Sequence, residues 1–510
     1  MSKTSSPDLY ELIASLSKAE KRHFKVFSQK HVIGDDNKYV LLFDRIEEQN
    51  EYDEDTLIKE FTHFPSLKKR LYDSVLRSLA VFYSEQSTDA WLYNNIRYIK
   101  ILYDKGLLAQ AKKLIAKTKE IAKQHENYPV MYSLLMRELE IIRSESYVGV
   151  SEEQLNKVFD EMYDSMDVYK NAREYHRLNM QFFIRVRKFG GARNSADWKK
   201  YSDIFKHSFF KSEKNAKSVE AKFYMYLGLC GYHFMRYDFE KANRANSQLL
   251  KLMEENPHML EEHTSHYHIA LQNEIICQYQ MNECEKTIGI IKKYKEKILN
   301  DDLPLYKKSN AFYFTNSVEL FCLCRMGEFE NAVKRIPELE SELKKHNFKP
   351  QHKEYECLYL CGISKTYFGA GNYKEANKYL NKVLNETAGD LRSDIHCFMR
   401  IIGIIMHYEM GNQDLLEYMV KWTYRYLAKR NKLYKFETII LEFIRKKIQK
   451  TNNKKEMLDA FTALKKELEK LLPDPYENRP LVDFEFLEWL ESKIENKPFA
   501  EIVRGKYSEK

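Results

Sequence analysis

Eight turn signals recur along the 510-residue chain at nearly constant spacing: Gly106, Gly149, Gly190, Tyr237, Asn282, Gly327, Gly371 and Gly411. The successive gaps are 43, 41, 47, 45, 45, 44 and 40 residues, a period near 44. Self-similarity at that interval marks stacked helical hairpins, each burying its apolar face on the next, rather than a closed globule. One ordinary core does not support a chain this long, and stacking escapes that limit because each unit is covered by its neighbours. Only 16 glycines and 11 prolines punctuate the sequence, and most interior glycines separate long helical patterns. That scarcity argues against an all-β or alternating α/β chain.

The clearest turns read Met326-Gly327-Glu328-Phe329-Glu330-Asn331-Ala332 and Ala370-Gly371-Asn372-Tyr373-Lys374-Glu375-Ala376. Glycine lets the backbone leave the first helix, the aromatic fills the elbow, and the small Ala lets the second helix approach closely. Arg236 to Ala242 repeats the scheme with Phe239 and Ala242 but no glycine; Met281 to Thr287 puts Cys284 and Thr287 at the two packing positions. Pro129, Pro257, Pro304 and Pro350 fall between hairpins, where they stop one unit before the next begins. These turns resemble the tetratricopeptide repeat family. Tyr367 and Leu380 flank Ala376, and Leu323 and Ile336 flank Ala332, where that family places large residues. Its usual period is about 34 residues, so the resemblance is to a degenerate, long-helix form, closer in period to HEAT-type arrays. It implies an all-α, right-handed solenoid of eight hairpins over 90–430 and specifies no activity.

Residues 1–85 form a separate helical module of about five segments. Ser17 followed by Glu20 makes a capping box, and helices are predicted over 38–49, 53–61 and 66–83. A basic hairpin occupies 431–472, with helices over 432–450 and 453–472. After a break carrying Pro473, Pro475 and Pro480, an amphipathic helix over 483–496 lies in a last segment, 481–510. Two roles stay open for that helix: a cap over the final hairpin, or a tethered segment that docks in the groove or on another protein.

No run of 18 apolar residues occurs, so no membrane span is predicted, and no secretory signal is visible at the N-terminus. The eight cysteines read as small apolar helix residues, as in a reducing cytoplasm. Abundant Lys, Asn, Ile, Tyr and Phe suit a low-GC genome, expected to be bacterial. Phe189-Gly190-Gly191-Ala192 lacks the spacing of a phosphate cradle, and no His-Glu-x-x-His, Gly-x-Ser-x-Gly or Cys-x-x-Cys pattern is present. No catalytic residue, cofactor or metal is therefore expected; His258, His263, His266 and His268 read as surface residues around a loop rather than as zinc ligands.

Between Lys421 and Lys466 stand fourteen Lys/Arg and four Asp/Glu, whereas the whole chain carries a net charge of only +8. Trp422, Tyr424, Tyr426, Tyr434 and Phe436 interleave the basic residues. RNA or DNA binding by Lys421, Arg425, Lys429, Arg430, Arg445, Lys446 and Lys447 is one reading; a solvated face over a buried aromatic stripe is the other. A second basic cluster, Lys68, Lys69, Arg70 and Arg77, follows Phe64-Pro65-Ser66 in the outline of a helix-turn-helix, but the surrounding module is not basic enough to favour DNA reading.

Projecting the repeat family's inward-facing first-helix positions selects Tyr224, Phe234, Tyr279, Phe314, Phe321, Phe368, Phe398 and Tyr408. Either they line a groove for an apolar or aromatic-bearing peptide, or they are core. The leading expectation is a non-enzymatic cytoplasmic scaffold or regulator that binds a protein or peptide segment. A nucleic-acid-associated regulator is the alternative, and the sequence does not fix an oligomeric state.

Overall fold

The computed structural model describes residues 6–29, 38–84, 87–189, 191–262, 264–301, 303–351, 353–386, 393–448 and 453–509. Among them the chain is helical throughout, with no strand. It divides into two compact units, Met1–Tyr169 and Lys170–Lys510.

In the first unit, α1 (Asp8–Ser15), α2 (Lys18–Gln29), α3 (Lys38–Glu47), α4 (Glu54–Glu60) and α5 (Phe64–Ser84) gather around Phe24, Phe43, Leu71 and Val75. The capping box is formed: Glu20 Oε2 accepts from the Ser17 amide at 2.6 Å, and the Ser17 hydroxyl accepts from the Glu20 amide at 3.3 Å. A separate cluster around Leu92, Ile99, Leu134 and Leu135 joins α6 (Thr88–Asp104), α7 (Leu108–Gln124), α8 (Tyr128–Ser144) and the start of α9 (Glu152–Phe189). The division at 169/170 therefore falls inside α9, whereas the expected boundary near 85–90 separates two cores of one unit.

The second unit holds the rest of α9, the short α10 (Ser195–Ser202) and then hairpins. These are α11 (Val219–Met235) with α12 (Phe239–Glu255); after a short α13 (Pro257–Glu262), α14 (Thr264–Gln280) with α15 (Cys284–Asn300); and α16 (Leu305–Arg325) with α17 (Phe329–His346). α18 (Lys353–Gly369) pairs with α19 (Tyr373–Glu386), and α20 (Ser393–Glu409) with α21 (Gln413–Lys429). First helices of neighbouring hairpins pack together, as α16 does on α18, giving a helical-repeat architecture. Beyond them lie α22 (Lys435–Phe443) running into a π-helical turn (Ile444–Ile448), then α23 (Lys454–Glu469), α24 (Arg479–Asp483), α25 (Phe486–Glu495) and α26 (Phe499–Ser508).

The period has one physical cause. Gly106, Tyr237, Asn282, Gly327, Gly371 and Gly411 all have positive φ and close the same cap on the helix before them. At Gly327 the amide donates to the Cys324 carbonyl at 3.0 Å, and the next amide, of Glu328, reaches the Leu323 carbonyl at 2.8 Å. The same two bonds recur at the other five, satisfying the orphan carbonyls of the helix end. Glycine adopts this backbone without strain, while Tyr237 and Asn282 hold it against the Cβ penalty. Gly149 also has positive φ; Gly190 lies outside the described residues. Ala332, Ala376 and Ala242 are fully buried where each second helix meets its first.

One expected unit is not a hairpin. α9 runs 38 residues without a break, and α10 with three short 3₁₀ turns replaces a full second helix. No Gly or Pro occurs between Glu152 and Phe189, so nothing in the covalent chain stops that helix. The helix expected over 432–450 is instead α22 followed by the π-helical turn, positions 449 and 450 lying outside the described residues, and α26 was not anticipated.

Candidate functional site

The segment 471–508 does not merely cover the last hairpin. It runs across the elbow ends of successive first helices, and each helix contributes a polar contact near its C-terminus. Gln280 Oε1 at the end of α14 accepts from Arg479 at 2.7 Å. At the end of α16, Arg325 donates to the Val482 carbonyl at 3.3 Å, and its guanidinium sits 3.9 Å over the Tyr279 ring. Lys365 of α18 donates to the Asp483 carbonyl at 3.0 Å and pairs with Glu485 at 3.0 Å. Glu409, closing α20, accepts from the Trp489 indole and from Lys493, each at 2.6 Å. Further along, Arg504 reaches the Gly327 carbonyl and Tyr507 donates to Glu285.

Arg193 anchors the other end. It donates to the Tyr476 carbonyl at 3.0 Å and to Glu437 at 2.9 Å, and lies 4.5 Å from the Tyr434 ring. Glu477 in turn accepts the amides of Lys435 and Phe436. Between these polar contacts the segment buries Phe484, Phe486, Trp489 and Leu490. Phe484 packs on Phe368, Phe486 on Phe398 and Phe436, and Trp489 on Tyr408 and Phe461. Side chains reading backbone carbonyls, with aromatic anchors in between, are the chemistry by which a folded surface recognises a peptide.

Burial sets the electrostatics. It pulls the Lys365 ammonium down most strongly of any single influence, but Glu485, Tyr279 and Cys324 together outweigh it and hold the group above the usual lysine range. For Glu437 burial wins over the Arg193 guanidinium, and the carboxyl lies above the ordinary value. Such buried pairs add little net stability but fix register, because a misplaced segment would leave a charge unpaired.

The eight aromatics selected from sequence are placed by these contacts. Tyr224, Tyr279, Phe314 and Phe368 are buried; Phe234, Phe321, Phe398 and Tyr408 are half-buried. Phe368, Phe398 and Tyr408 lie against the 471–508 segment, Phe321 against Tyr279, Phe234 against Phe239, and Tyr224 stacks on His176. None of the eight stands on an open surface.

Among the basic residues selected, Lys421, Arg425, Lys429, Arg445 and Lys446 are exposed, while Arg430 stacks 3.9 Å over Tyr426. The Lys447 side chain lies outside those described. Of the interleaved aromatics, Trp422 and Tyr424 are exposed, Tyr426 and Tyr434 half-buried, and Phe436 fully buried. Lys68 is spent on the Ser6 carbonyl, Tyr52 and Glu54, which removes it from any nucleic-acid face; Lys69, Arg70 and Arg77 are exposed. His266 stacks on Phe223 and His268 is buried, and the side chains of His258 and His263 lie outside those described. Among the described residues no three His, Cys, Asp or Glu side chains gather as metal ligands.

Sequence reasoning passed over an open face in the first unit. On α6, Tyr93, Arg97 and Ile101 stand one turn apart and exposed, and on α8 so do Tyr132 and Met136. The two helices pack on each other as the first helices of adjacent hairpins. Tyr, Arg and Met are the side chains that protein interfaces concentrate. Four-residue spacing could have flagged the stripe, but spacing alone does not tell an outer face from an inner one.

No protein-family model matches this chain, and no curated protein is detectably similar to it.

Proposed function

We propose that this protein is a non-enzymatic interaction scaffold or regulator, a right-handed tetratricopeptide-like solenoid that binds a protein or peptide segment through its helical-repeat surface. The observation that carries the reading is the 471–508 segment, which the second unit grips through Arg193, Arg325 and Lys365 on backbone carbonyls and through pockets for Phe484, Phe486 and Trp489. The hairpins of this chain thus have the means to hold a peptide, and in the second unit their elbows are filled from within. The first unit offers Tyr93, Arg97, Ile101, Tyr132 and Met136 to a partner instead. A protein segment with apolar or aromatic anchors and a carboxylate for Arg97 fits that face. A cytoplasmic setting is part of this proposal, and the eight buried free thiols support it; no described helix is long and apolar enough to cross a membrane.

The test is capture from nuclease-treated native extract with the wild-type chain and with a Tyr93→Ala/Ile101→Ala/Tyr132→Ala/Met136→Ala variant. All four positions are exposed, so the variant should keep its helical signal and melting temperature. A protein retained by the wild type and lost from the variant supports the proposal. Equal retention by both, or no protein once nucleic acid is removed, refutes it.

A further inference from the structure

α21 carries an outer face of a different chemistry. Tyr418, Trp422, Arg425 and Lys429 recur at helical spacing on its solvent side, with Lys421 at the flank. Tyr418 is 58% exposed and Trp422 52%, and their rings lie 5.9 Å apart at 51°, so each offers its own free face. Both carboxylates of the helix, Asp414 and Glu417, precede Lys421; from Lys421 to Lys432 there is none. Arg445 and Lys446, on the π-helical turn packed against α21, extend the basic surface. Of the acidic residues nearby, Glu417 is paired with Lys421 at 2.5 Å, Glu437 with Arg193, and Glu442 with Lys446 at 2.7 Å.

The aromatics that belong to the fold can be set aside. Tyr426 is held between Arg400 and Arg430, Tyr434 donates to Asp197, and Phe436 is core. What remains is exposed rings interleaved with cations, the exposed carboxylates of Asp414 and Glu417 being confined to the N-terminal end of the helix. Protein interfaces deplete lysine from their centres, whereas a polyanion whose subunits carry π-faces needs this combination.

We propose that the outer face of α21 binds single-stranded nucleic acid, with bases stacked on Trp422 and Tyr418 and phosphates neutralised by Lys421, Arg425 and Lys429. Sequence tolerance follows, because every base has a face to stack and no side chain here is placed to read base edges.

The experiment follows a labelled 20-nucleotide oligo(dT) by anisotropy on addition of the full chain at several salt concentrations, with heparin as a polyanion that lacks bases. Trp422→Ala, at an exposed site, should weaken oligonucleotide binding roughly tenfold and leave heparin affinity unchanged. Arg425→Ala/Lys429→Ala should reduce the slope of log affinity against log salt by roughly 1.4 and weaken both ligands. In the wild type, oligonucleotide binding should quench the fluorescence of Trp422, which is more exposed than the half-buried Trp91 and Trp198 or the buried Trp489. The proposal is overturned if the chain fails to bind the oligonucleotide at low salt. It is equally overturned if Trp422→Ala binds as tightly as wild type, or if Trp422 proves to hold a protein while oligonucleotide binding is absent. The four-residue variant of the α6 and α8 face should bind oligonucleotide normally, so the two proposals stand or fall separately.

Discussion

Gly327, Gly371 and Gly411 occupy the same elbow position with φ of +74°, +75° and +74°, yet they differ in what lies outside them. An alanine at any of the three meets the left-handed backbone penalty of about 1–2 kcal/mol. At Gly371 and Gly411 no atom lies within 4 Å of the place a Cβ would take, so that strain is the whole effect. At Gly327 the new methyl would stand 2.7 Å from the Arg504 backbone nitrogen and 2.9 Å from its Cα. Backbone does not swing aside as a side-chain tip does, so α26 must move as a unit. That exposes the buried Val503 and pulls Phe499 off Phe329 and Phe368. With about 1.5–3 kcal/mol for each fully buried apolar side chain, Gly327→Ala should cost about 3–5 kcal/mol in all. The assay is urea denaturation of the three alanine variants, with amide exchange followed over 499–508. Gly371→Ala and Gly411→Ala should shift the midpoint alike and leave α26 protected, while Gly327→Ala shifts it two- to threefold further and opens α26. Equal shifts with unchanged protection at 499–508 would refute the reasoning.

Other perturbations bear on separate parts of the argument. Lys365→Met strands Glu485 in the interior and should cost about 3–5 kcal/mol, whereas Lys365→Met/Glu485→Leu should recover most of it; a double-mutant cycle in urea measures the difference. Gly369→Ala would set a methyl 2.0 Å from the Phe329 ring and should destabilise by about 1–3 kcal/mol, with Phe329→Leu in the same chain restoring part of the loss. Burial holds the His268 imidazole below its usual 6.5, so the unfolded chain takes up that proton more readily. The stability it confers is complete above pH 6.5 and is lost as pH falls through the depressed folded value, and His268→Gln should flatten the melting temperature against pH below 6.5.

What the letters disclosed was what local chemistry decides. A left-handed residue every 44 or so positions fixes where a helix must end, because the cap needs only the five or six residues around it. Ser17 and Glu20 are legible for the same reason. The repeat rhythm predicts a break inside α9, but its 38 residues contain no Gly or Pro, and that local fact decides. The path of the 471–508 segment was not legible. Glu477 binds Lys435 and Phe436 about 40 residues back, but Tyr507 reaches Glu285 across 222, and no spacing rule encodes such a meeting. The same gap explains the eight aromatics: periodicity identifies a helix face, and only the partner laid over it decides whether that face is wet. On α21 the exposed pair includes Tyr418, which lies before the charged run that begins at Lys421, so the charge pattern does not mark it.

The order in which this chain leaves the ribosome gives the 471–508 segment a further consequence. Repeat arrays ordinarily settle unit by unit as they emerge, each new hairpin completing the one before. Here Arg325, Lys365, Phe368 and Glu409 are all translated well before the residues that satisfy them. Until those arrive, the elbows present unpaired charge and bare rings to the surrounding solvent, the kind of surface that chaperones hold and proteases find. A chain cut ahead of residue 476 would keep those charges and rings exposed, so synthesis through residue 508 is the step that closes the vulnerable interval.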